Sequence, residues 1–275
     1  MMGPSDQPAV RLGHGRRTRP IRRASARLSP LRAGAALVML LSALGIYGVG
    51  ASSAFTFKRL DFDAGPGAFT DSATVMTTLG LAGSPPNLFQ LRTDLLAAKL
   101  VTLPAVTQAT VSISLPDTIL VRVVERQPIL VWAVGLKRLL VDRDGVIFAN
   151  AVPGGPGNGL PVIVDHRAAS ATLDVGSGLD PVDLDAATRF ASLKPADIGS
   201  AATALHVQIE DGDGYEVRGD GQTWVAAFGF YTASLRTPDL IPGQVRLLRS
   251  LLAGRESTLR RVVLADDVNG TYTTK

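Results

Sequence analysis

Apolar and polar residues alternate through the middle of the chain. Between residues 109 and 115 every second side chain is aliphatic, and the alternation returns at 119–123 after the pair Pro116-Asp117. Because alternate side chains of a strand point to one face, these two runs predict a β-hairpin with one buried face. Nothing in the hairpin is a catalytic group, so we interpret it as a structural or docking element.

A strand and two short helices are predicted before the hairpin. Residues 57–63 alternate in the manner of a strand. A helix capped by Thr70 or Asp71 ends at Gly80, and a second helix runs over 93–102. The apolar residues expected on the buried faces of the two helices are Val75, Met76, Leu79, Leu95, Leu96, Leu100 and Leu103.

The chain after Gln127-Pro128 is rich in predicted strands. They lie at residues 129–134, 138–141, 146–149, 160–164, 204–210, 215–218, 223–229 and 259–266. Helices are expected to begin at Asp180-Pro181, ending near Lys194, and at Ile241-Pro242, because proline is tolerated in the first turn. Trp132 and Trp224 are expected in the core. The fold class is therefore α+β: a β-α-α-β-β module followed by a β-rich domain with two helices.

One segment has the length and composition of a transmembrane helix. Residues 33–53 carry no charge, and a helix of this length spans about 32 Å, which is enough to cross a bilayer core. We predict a single membrane span here. A cleaved signal peptide is the alternative, because small residues at 50–53 suit a peptidase, although the apolar run is longer than such signals usually have.

Charge is distributed unevenly on the two sides of this segment. Residues 1–32 contain eight arginines and one acid, whereas the rest of the chain contains 20 basic and 23 acidic residues. Arginine favours the cytoplasmic side, so we predict a disordered basic tail over 1–32 inside the cell and an extracytoplasmic body. The tail can contact anionic lipid, and because it has no aromatic residue we expect no nucleic-acid partner.

Few residues are suited to catalysis. The chain has no cysteine and three histidines, His14, His166 and His206, and it lacks the spacings of zinc sites, nucleotide loops and nucleophile elbows. His166 follows Asp165, but neighbours on a strand face opposite sides, so this aspartate is badly placed to orient the ring. The sequence DRDG at 142–145 is a turn signal. We predict no catalytic residue, no metal, no cofactor and no enzyme activity.

Several motifs resemble the FtsQ/DivIB family of bacterial division proteins. They are NLFQL (87–91), LPAVTQATVSISLPDTILVRVVERQP (103–128), Trp132, LLVDRDGVIF (139–148) and LPVI (160–163). The resemblance implies a POTRA domain at 55–126, an FtsQ-type β-domain at 127–266 and a C-terminal tail at 267–275.

The resemblance also implies a role and partners. Such a protein would be a single-pass scaffold of the cell (inner) membrane at the division septum, contacting FtsB/FtsL-like (DivIC/FtsL-like) proteins and, through them, the septal peptidoglycan synthase. A terminal β-domain edge would receive a partner strand, since an unpaired edge presents free N–H and C=O groups. The residues implied here are Arg261, Val262, Val263, Leu264, Ala265 and Tyr272. The alternatives are that 259–266 is a covered strand, and that the protein is an envelope adaptor outside division or a POTRA-type transport component.

Overall fold

The computed structural model describes residues 30–65, 67 and 69–275, and residues 1–29 of the predicted tail lie outside the described residues. The first helix, α1, spans Pro30–Ala51, so residues 30–32 of the predicted tail are helical. The chain is divided into two compact units, with the boundary between residues 49 and 50. Within the described part of the chain, no helix is both long enough and apolar enough to cross a membrane.

A three-stranded sheet with two helices opens the second unit. Its elements are a 3-10 turn (Ser53–Phe55), β1 (Arg59–Asp63), α2 (Ser72–Leu79), a 3-10 turn (Leu88–Gln90), α3 (Thr93–Leu100), β2 (Val106–Ser114) and β3 (Thr118–Glu125). The strand order is β1-β3-β2, with β1 parallel to β3 and β2 antiparallel to it. The β-α-α-β-β order and the hairpin predicted from the sequence are confirmed.

This module has its own core between the sheet and its helices. Val75 of α2, Leu100 of α3 and Val121 of β3 are all buried there. Leu96 and Leu100 are the buried residues of α3, whereas Leu95 is 53% exposed. The prediction that Leu95 is buried is therefore wrong, because the buried stripe of this short helix follows one i, i+4 pair.

Helix α2 begins and ends as its sequence predicts. The Asp71 carboxylate accepts a hydrogen bond from the Thr74 N–H at 2.7 Å, and this interaction with Thr74 lowers the pKa of Asp71. Gly80 ends the helix at φ 73°, a left-handed conformation that favours glycine. The cap residue is thus Asp71 and not Thr70.

The rest of the second unit forms one nine-stranded sheet. Its strands are β4 (Pro128–Val134), β5 (Lys137–Asp142), β6 (Ile147–Asn150), β7 (Val162–Asp165), β8 (Leu205–Glu210), β9 (Gly214–Gly219), β10 (Val225–Gly229), β11 (Leu259–Leu264) and β12 (Gly270–Thr274). Their order is β12-β11-β10-β9-β8-β7-β4-β5-β6. The pairs β4–β7, β7–β8 and β10–β11 are parallel. Parallel neighbours need a crossover, and helices supply it after β7 and after β10.

The two crossover helices are α4 (Pro181–Ala191) and α5 (Ile241–Leu252), and 3-10 turns lie at Ala168–Thr172, Pro195–Ile198 and Pro238–Leu240. The main core contains Trp132 and Trp224, both buried as predicted. The Phe190 ring of α4 stacks on Tyr215 with ring centroids 5.0 Å apart. Helix α4 ends at Ala191, earlier than the predicted end near Lys194, because Ser192 and Leu193 leave the helix before Pro195.

The three-stranded module is fixed to the large sheet at the end of β3. Arg126 Nε donates to the Pro104 carbonyl at 3.0 Å, and its Nη1 donates to the Asp142 carboxylate. Nearby, the rings of Phe69 and Phe148 meet edge to face with centroids 5.0 Å apart. Ala105, Val131, Leu140 and Phe148 form a small buried cluster at this junction. Polar and apolar contacts therefore join the module to the sheet.

Candidate partner-binding site

The C-terminal edge of the large sheet is formed by β12. Strand β11 pairs in parallel with β10 on one side and antiparallel with β12 on the other. The expected unpaired edge at 259–266 is therefore not observed, and the alternative of a covered strand is what the structure shows. Among the described residues, no strand pairs with the outer side of β12.

The six implied partner-binding residues lie on both faces of the sheet. Val262 and Leu264 are buried in the main core beneath α5. Arg261 and Val263 point to the other face, because alternate residues of a strand do so, and Ala265 follows the strand in an exposed position. Tyr272, which is 45% exposed, is the member of the group on the outermost strand. The six residues are adjacent in space, but two of them belong to the core.

Strand β12 is the element at the candidate site that the sequence did not predict. It lies within 267–275, which was expected to be a tail. All five of its residues are exposed, so no buried position gives it a periodic apolar pattern. A different signal was present: Asn269-Gly270 is a hairpin turn signal, and the threonines and tyrosine that follow favour strands.

One carboxylate organises the turn between β11 and β12. Asp266 Oδ1 accepts the Val268 N–H at 2.8 Å and the Asn269 N–H, while Oδ2 accepts the Asn269 side-chain amide at 2.7 Å. These hydrogen bonds, those from Asn269 first, lower the pKa of Asp266. The Ala265 N–H donates to the Asn269 carbonyl at 3.0 Å and closes the hairpin.

The register of the hairpin determines which backbone groups face outward. Ala265 is hydrogen-bonded to Asn269, and two residues farther Val263 lies opposite Thr271. Hydrogen-bonded and non-hydrogen-bonded pairs alternate along an antiparallel ladder, so Tyr272 belongs to a non-hydrogen-bonded pair. Its backbone N–H and C=O therefore point away from β11. An added strand would form its hydrogen bonds there.

Two side chains hold the end of β11 in place. Gln244 Nε2, on α5, donates to the carbonyls of Phe228 at 3.2 Å and Leu264 at 3.1 Å. Arg236 Nη2 donates to the same Leu264 carbonyl at 2.7 Å. The Tyr231 hydroxyl donates to Gln244 Oε1 at 2.8 Å, and burial raises the pKa of this hydroxyl. The strand that carries the edge is thus fixed by buried hydrogen bonds.

The helix side of the edge is apolar. A Cβ atom at Gly270 would lie 3.3 Å from Leu247 Cδ2 and 3.5 Å from Leu251 Cδ1, and both leucines are only partly buried. Farther along β12, the Tyr272 ring lies 5.9 Å from the Arg255 guanidinium, and Arg255 Nη1 lies 3.3 Å from the tyrosine oxygen. Leu247, Leu251 and Tyr272 therefore line this side of the edge.

The opposite side of the edge is polar. Arg261 Nη2 lies 2.6 Å from Asp213 Oδ1 and 3.3 Å from Glu216 Oε1. Glu216 is buried, and its Oε2 atom accepts a hydrogen bond from Gln208 Nε2 at 2.9 Å and lies 3.2 Å from Arg218 Nη2. The Arg261 charge is compensated within the sheet, so a partner that contacts it competes with two acids.

The titratable residues away from the edge form pairs and clusters of their own. His166 Nδ1 lies 2.7 Å from Glu210 Oε1, whereas the neighbouring Asp165 is buried and accepts a hydrogen bond from Trp132 Nε1 at 3.1 Å. Asp165 thus does not orient His166, as predicted. His206 is exposed and lies 3.9 Å from Asp220. Across the residues that the structure describes, no group of three or more histidines and acids is placed to hold a metal ion.

Asp165, which is buried, forms an ion cluster with the partly buried Arg167 and Asp183 beside Ser170. Burial acts to raise the pKa of Asp165, but hydrogen bonds from Arg167 at 2.8 Å and from Ser170 outweigh it, so the pKa is lowered. Burial raises the pKa of Asp183, whose carboxylate lies 2.9 Å from Arg167 Nη1. The cluster fixes the loop after β7, and we interpret it as structural.

Comparison with known proteins agrees with the fold. A family model described as "POTRA domain, FtsQ-type" matches residues 65–126. Three relatives are each named "Cell division protein FtsQ". The relative from Chloroflexus aurantiacus is 31% identical over 164 residues, which cover 59% of this chain and 57% of the relative. For Chloroflexus aggregans the values are 30% over 169 residues, 59% and 60%, and for Mycobacteroides abscessus 29% over 177 residues, 62% and 55%.

The chain spans between 55% and 60% of the length of these relatives. The family model covers α2, α3 and the hairpin of β2 and β3, and it includes residues 103–126 of the longest resembling motif, 103–128. The matches to the POTRA model and to three division proteins agree with the motif resemblance, and this chain is similar to the FtsQ/DivIB family of bacterial cell-division proteins.

Proposed function

We propose that this protein is a single-pass membrane scaffold of the bacterial division machinery, which links division proteins at the septum through extracytoplasmic contacts. The observation that carries the docking mode is β12, a strand with five exposed residues at the edge of the large sheet. An open edge is completed by a strand from another chain, because each added backbone hydrogen bond satisfies a group that would otherwise bond to water.

The edge also restricts the side chains of an added strand. On one side the partner meets Leu247 and Leu251 of α5 and the ring of Tyr272. On the other side it meets Thr271, Thr273 and Val263. The surface therefore suits an extended segment that has apolar residues at alternate positions on its helix-facing side. Main-chain pairing supplies affinity, and this alternation supplies selectivity.

The family resemblance suggests the identity of the partners. We propose FtsB/FtsL-like (DivIC/FtsL-like) proteins as direct partners, with the septal peptidoglycan synthase reached through them. The protein itself would not be an enzyme. This proposal is supported by its paired ionisable groups, since His166, Asp165 and Arg167 are all engaged in contacts with other side chains.

The proposed topology rests on the sequence. Residues 33–53 would span the cell (inner) membrane, and the basic tail 1–32 would lie in the cytoplasm. The POTRA domain, 55–126, and the β-domain that follows would lie outside the cytoplasm. We propose to extend the β-domain from 127–266 to Thr274, because β12 is part of its sheet.

Localisation of the protein in dividing cells tests this function. A fluorescent protein fused to the N-terminus of the full chain is expected to give a band at the division plane. A fusion that carries only residues 1–58 is the matched control, and it is expected to label the whole membrane because it lacks the docking domains. Uniform labelling by the full chain would contradict the proposal and favour an envelope adaptor outside division.

A further inference from the structure

The chain that leaves α1 is hydrogen-bonded directly to the POTRA domain. Asn87 Nδ2 donates to the Ser52 carbonyl at 3.2 Å, and Thr56 forms an antiparallel bridge with Asn87. The Phe57 N–H then donates to the Pro86 carbonyl at 3.0 Å. Residues 52–57 are therefore held against residues 86–87.

Two aromatic rings pack against each other at the surface beside this connection. The rings of Phe55 and Phe89 meet edge to face with centroids 4.9 Å apart. Phe89 is 53% exposed, and Phe55 is only partly buried. Phe89 lies in the 3-10 turn Leu88–Gln90, whose first residue, Leu88, is buried and fixes the turn to the POTRA core. The pair is therefore a fixed surface feature.

Two basic residues, Lys58 and Arg59, follow Phe55 three and four positions later in the chain. The backbone N–H groups of Lys58 and Arg59 both donate to the Asp117 carbonyl, at 2.9 and 3.2 Å. Their side chains are mostly exposed and share one acid, Asp117, which lies 3.1 Å from Arg59 and 4.0 Å from Lys58. The acids of β1 begin at Asp61, farther along a strand that rises about 3.3 Å per residue. Positive charge is thus in excess at the start of β1.

We propose that these four residues, Phe55, Phe89, Lys58 and Arg59, form a surface that lies in the headgroup layer of an anionic membrane and holds the POTRA domain against the bilayer. The inference rests on the proposed membrane span at 33–53. Phe55 is two residues beyond Ser53, so its Cα lies within about 7 Å of the end of the span. Aromatic residues are enriched at membrane interfaces, and anionic lipid attracts lysine and arginine close to the surface.

The consequence of this contact is a defined orientation. A domain joined to a membrane span only through a loose connector could rotate freely, whereas an interfacial contact beside that connection restricts rotation. Since Arg126 and the Phe69–Phe148 contact fix the POTRA domain to the large sheet, the restriction passes to the β-domain. The edge strand β12 would then be presented to partners at a constrained angle to the membrane.

The absence of cysteine in the sequence permits a direct test with single labels. The full chain carrying Gln90→Cys, labelled with an environment-sensitive fluorophore, is reconstituted into vesicles of phosphatidylcholine and phosphatidylglycerol. Gln90 is exposed and adjoins Phe89, which this variant leaves intact. The matched control is Leu136→Cys, a fully exposed position in the turn between β4 and β5. Quenching is measured with lipid that carries a nitroxide on its headgroup.

Several-fold stronger quenching at position 90 than at position 136 is the expected result. Adding Phe89→Ser to the position-90 variant is expected to reduce the quenching, and Phe89→Tyr to preserve it, with near-ultraviolet circular dichroism verifying the fold of each variant. Equal quenching at 90 and 136 in vesicles that retain the protein on flotation would overturn this inference while the proposed membrane span stands. Failure of the full chain to float with the vesicles would overturn the proposed span and this inference with it.

Discussion

Val262 of β11 and Tyr272 of β12 lie directly opposite each other in the last strand pair of the sheet. Val262 is buried beneath α5, whereas Tyr272 is 45% exposed. Burial therefore ends within one inter-strand spacing, about 4.8 Å. Backbone pairing changes in the same step, because among residues 30–65, 67 and 69–275 strand β11 has a neighbour on both sides and β12 on one side only. The outermost strand thus combines a fixed position with unpaired hydrogen-bonding groups.

The first prediction concerns the backbone N–H of Tyr272, which points away from β11. Tyr272→Pro removes this donor and is expected to abolish capture of the partner, since an added strand would lose a hydrogen bond and meet the proline ring. Proline is tolerated on an edge strand where the N–H faces solvent, so the hairpin should remain folded. Co-purification of the proposed FtsB/DivIC-like partner from cells that express the full chain measures the effect.

Tyr272→Thr is the control for this substitution. Threonine also lacks the ring of Tyr272 but keeps the backbone N–H and favours strands. We expect it to retain most partner capture. Equal loss in the two variants would show that the side chain, and not the backbone edge, carries the interaction.

The second prediction concerns Gly243 near the start of α5. A Cβ atom at this position would lie 2.3 Å from Asp267 Cβ, in the turn between β11 and β12. Helix propensity alone favours Gly243→Ala by about 1 kcal/mol. Steric overlap acts in the other direction and typically costs about 1–3 kcal/mol. We expect a lower free energy of unfolding in urea, together with weaker partner capture because the turn is displaced.

Gly212→Ala provides a matched glycine substitution. A Cβ atom at Gly212 meets no other atom within 4 Å, and this glycine is not among those with positive φ. The free energy of unfolding should therefore stay the same or rise by about 0.4–1 kcal/mol, because alanine restricts the unfolded chain. A stabilised Gly243→Ala variant with normal partner capture would contradict the proposed contact with the turn.

The sequence predicted elements wherever burial gives a strong pattern. Val75 and Leu79 identified α2, and the alternation at 109–123 identified the hairpin, because half of each element faces a core. Strand β12 has no buried residue, so burial left no pattern to find. Because β12 pairs with β11, the strand at 259–266 is covered, and the predicted edge lies one strand inside the observed edge.

Contacts between distant segments were the other feature that the sequence did not reveal. Arg126 and Asp142 belong to different sheets, and their pairing depends on how the two sheets pack. Likewise, Asp165 is adjacent to His166 in sequence but bonds to Trp132, on a neighbouring strand. Strand periodicity correctly separated Asp165 from His166, because it determines the face of a residue. It does not determine the partner on that face.

The third prediction concerns acid stability through Asp165. Its pKa in the folded protein lies below the ordinary value of 3.8, so its contribution to stability is present above pH 3.8 and is lost as the pH falls through the folded pKa. Asp165→Asn removes this contribution and leaves Arg167 without one of its acids. The variant is expected to be less stable at neutral pH by about 3 kcal/mol, with a shallower further loss below pH 3.8.

Urea unfolding at a series of pH values measures this dependence. Asp183 has a raised pKa, so on lowering the pH the folded state binds a proton at Asp183 before the unfolded state does. Above pH 3.8 its titration therefore raises the stability as the pH falls, which is opposite to the effect of Asp165. The comparison is therefore made below pH 3.8. Asp174→Asn is the control, since the pair of Asp174 with Lys137 is exposed and such surface ion pairs contribute little to stability. Identical pH profiles for wild type and Asp165→Asn would refute the assigned role.

The last prediction concerns Arg126, which joins the POTRA domain to the large sheet. Its substitution by alanine leaves the Asp142 carboxylate buried without its cation, and breaking such a pair costs about 3 kcal/mol. Because the lost contact lies between the two sheets, we expect their unfolding to become separate. Both tryptophans, Trp132 and Trp224, belong to the large sheet, so intrinsic fluorescence follows that part alone.

A fluorophore on Gln90→Cys follows the POTRA domain in the same urea titration of the full chain in detergent. The two signals are expected to give coincident transitions with Arg126 present, and distinct midpoints in Arg126→Ala, since coincidence of probes is the mark of one cooperative unit. Arg143→Ala is the matched control, because Arg143 is exposed and its nearest acid is 4.0 Å away. Coincident transitions with an unchanged midpoint in Arg126→Ala would show that the apolar contacts at Phe69 and Phe148 are sufficient to couple the two sheets.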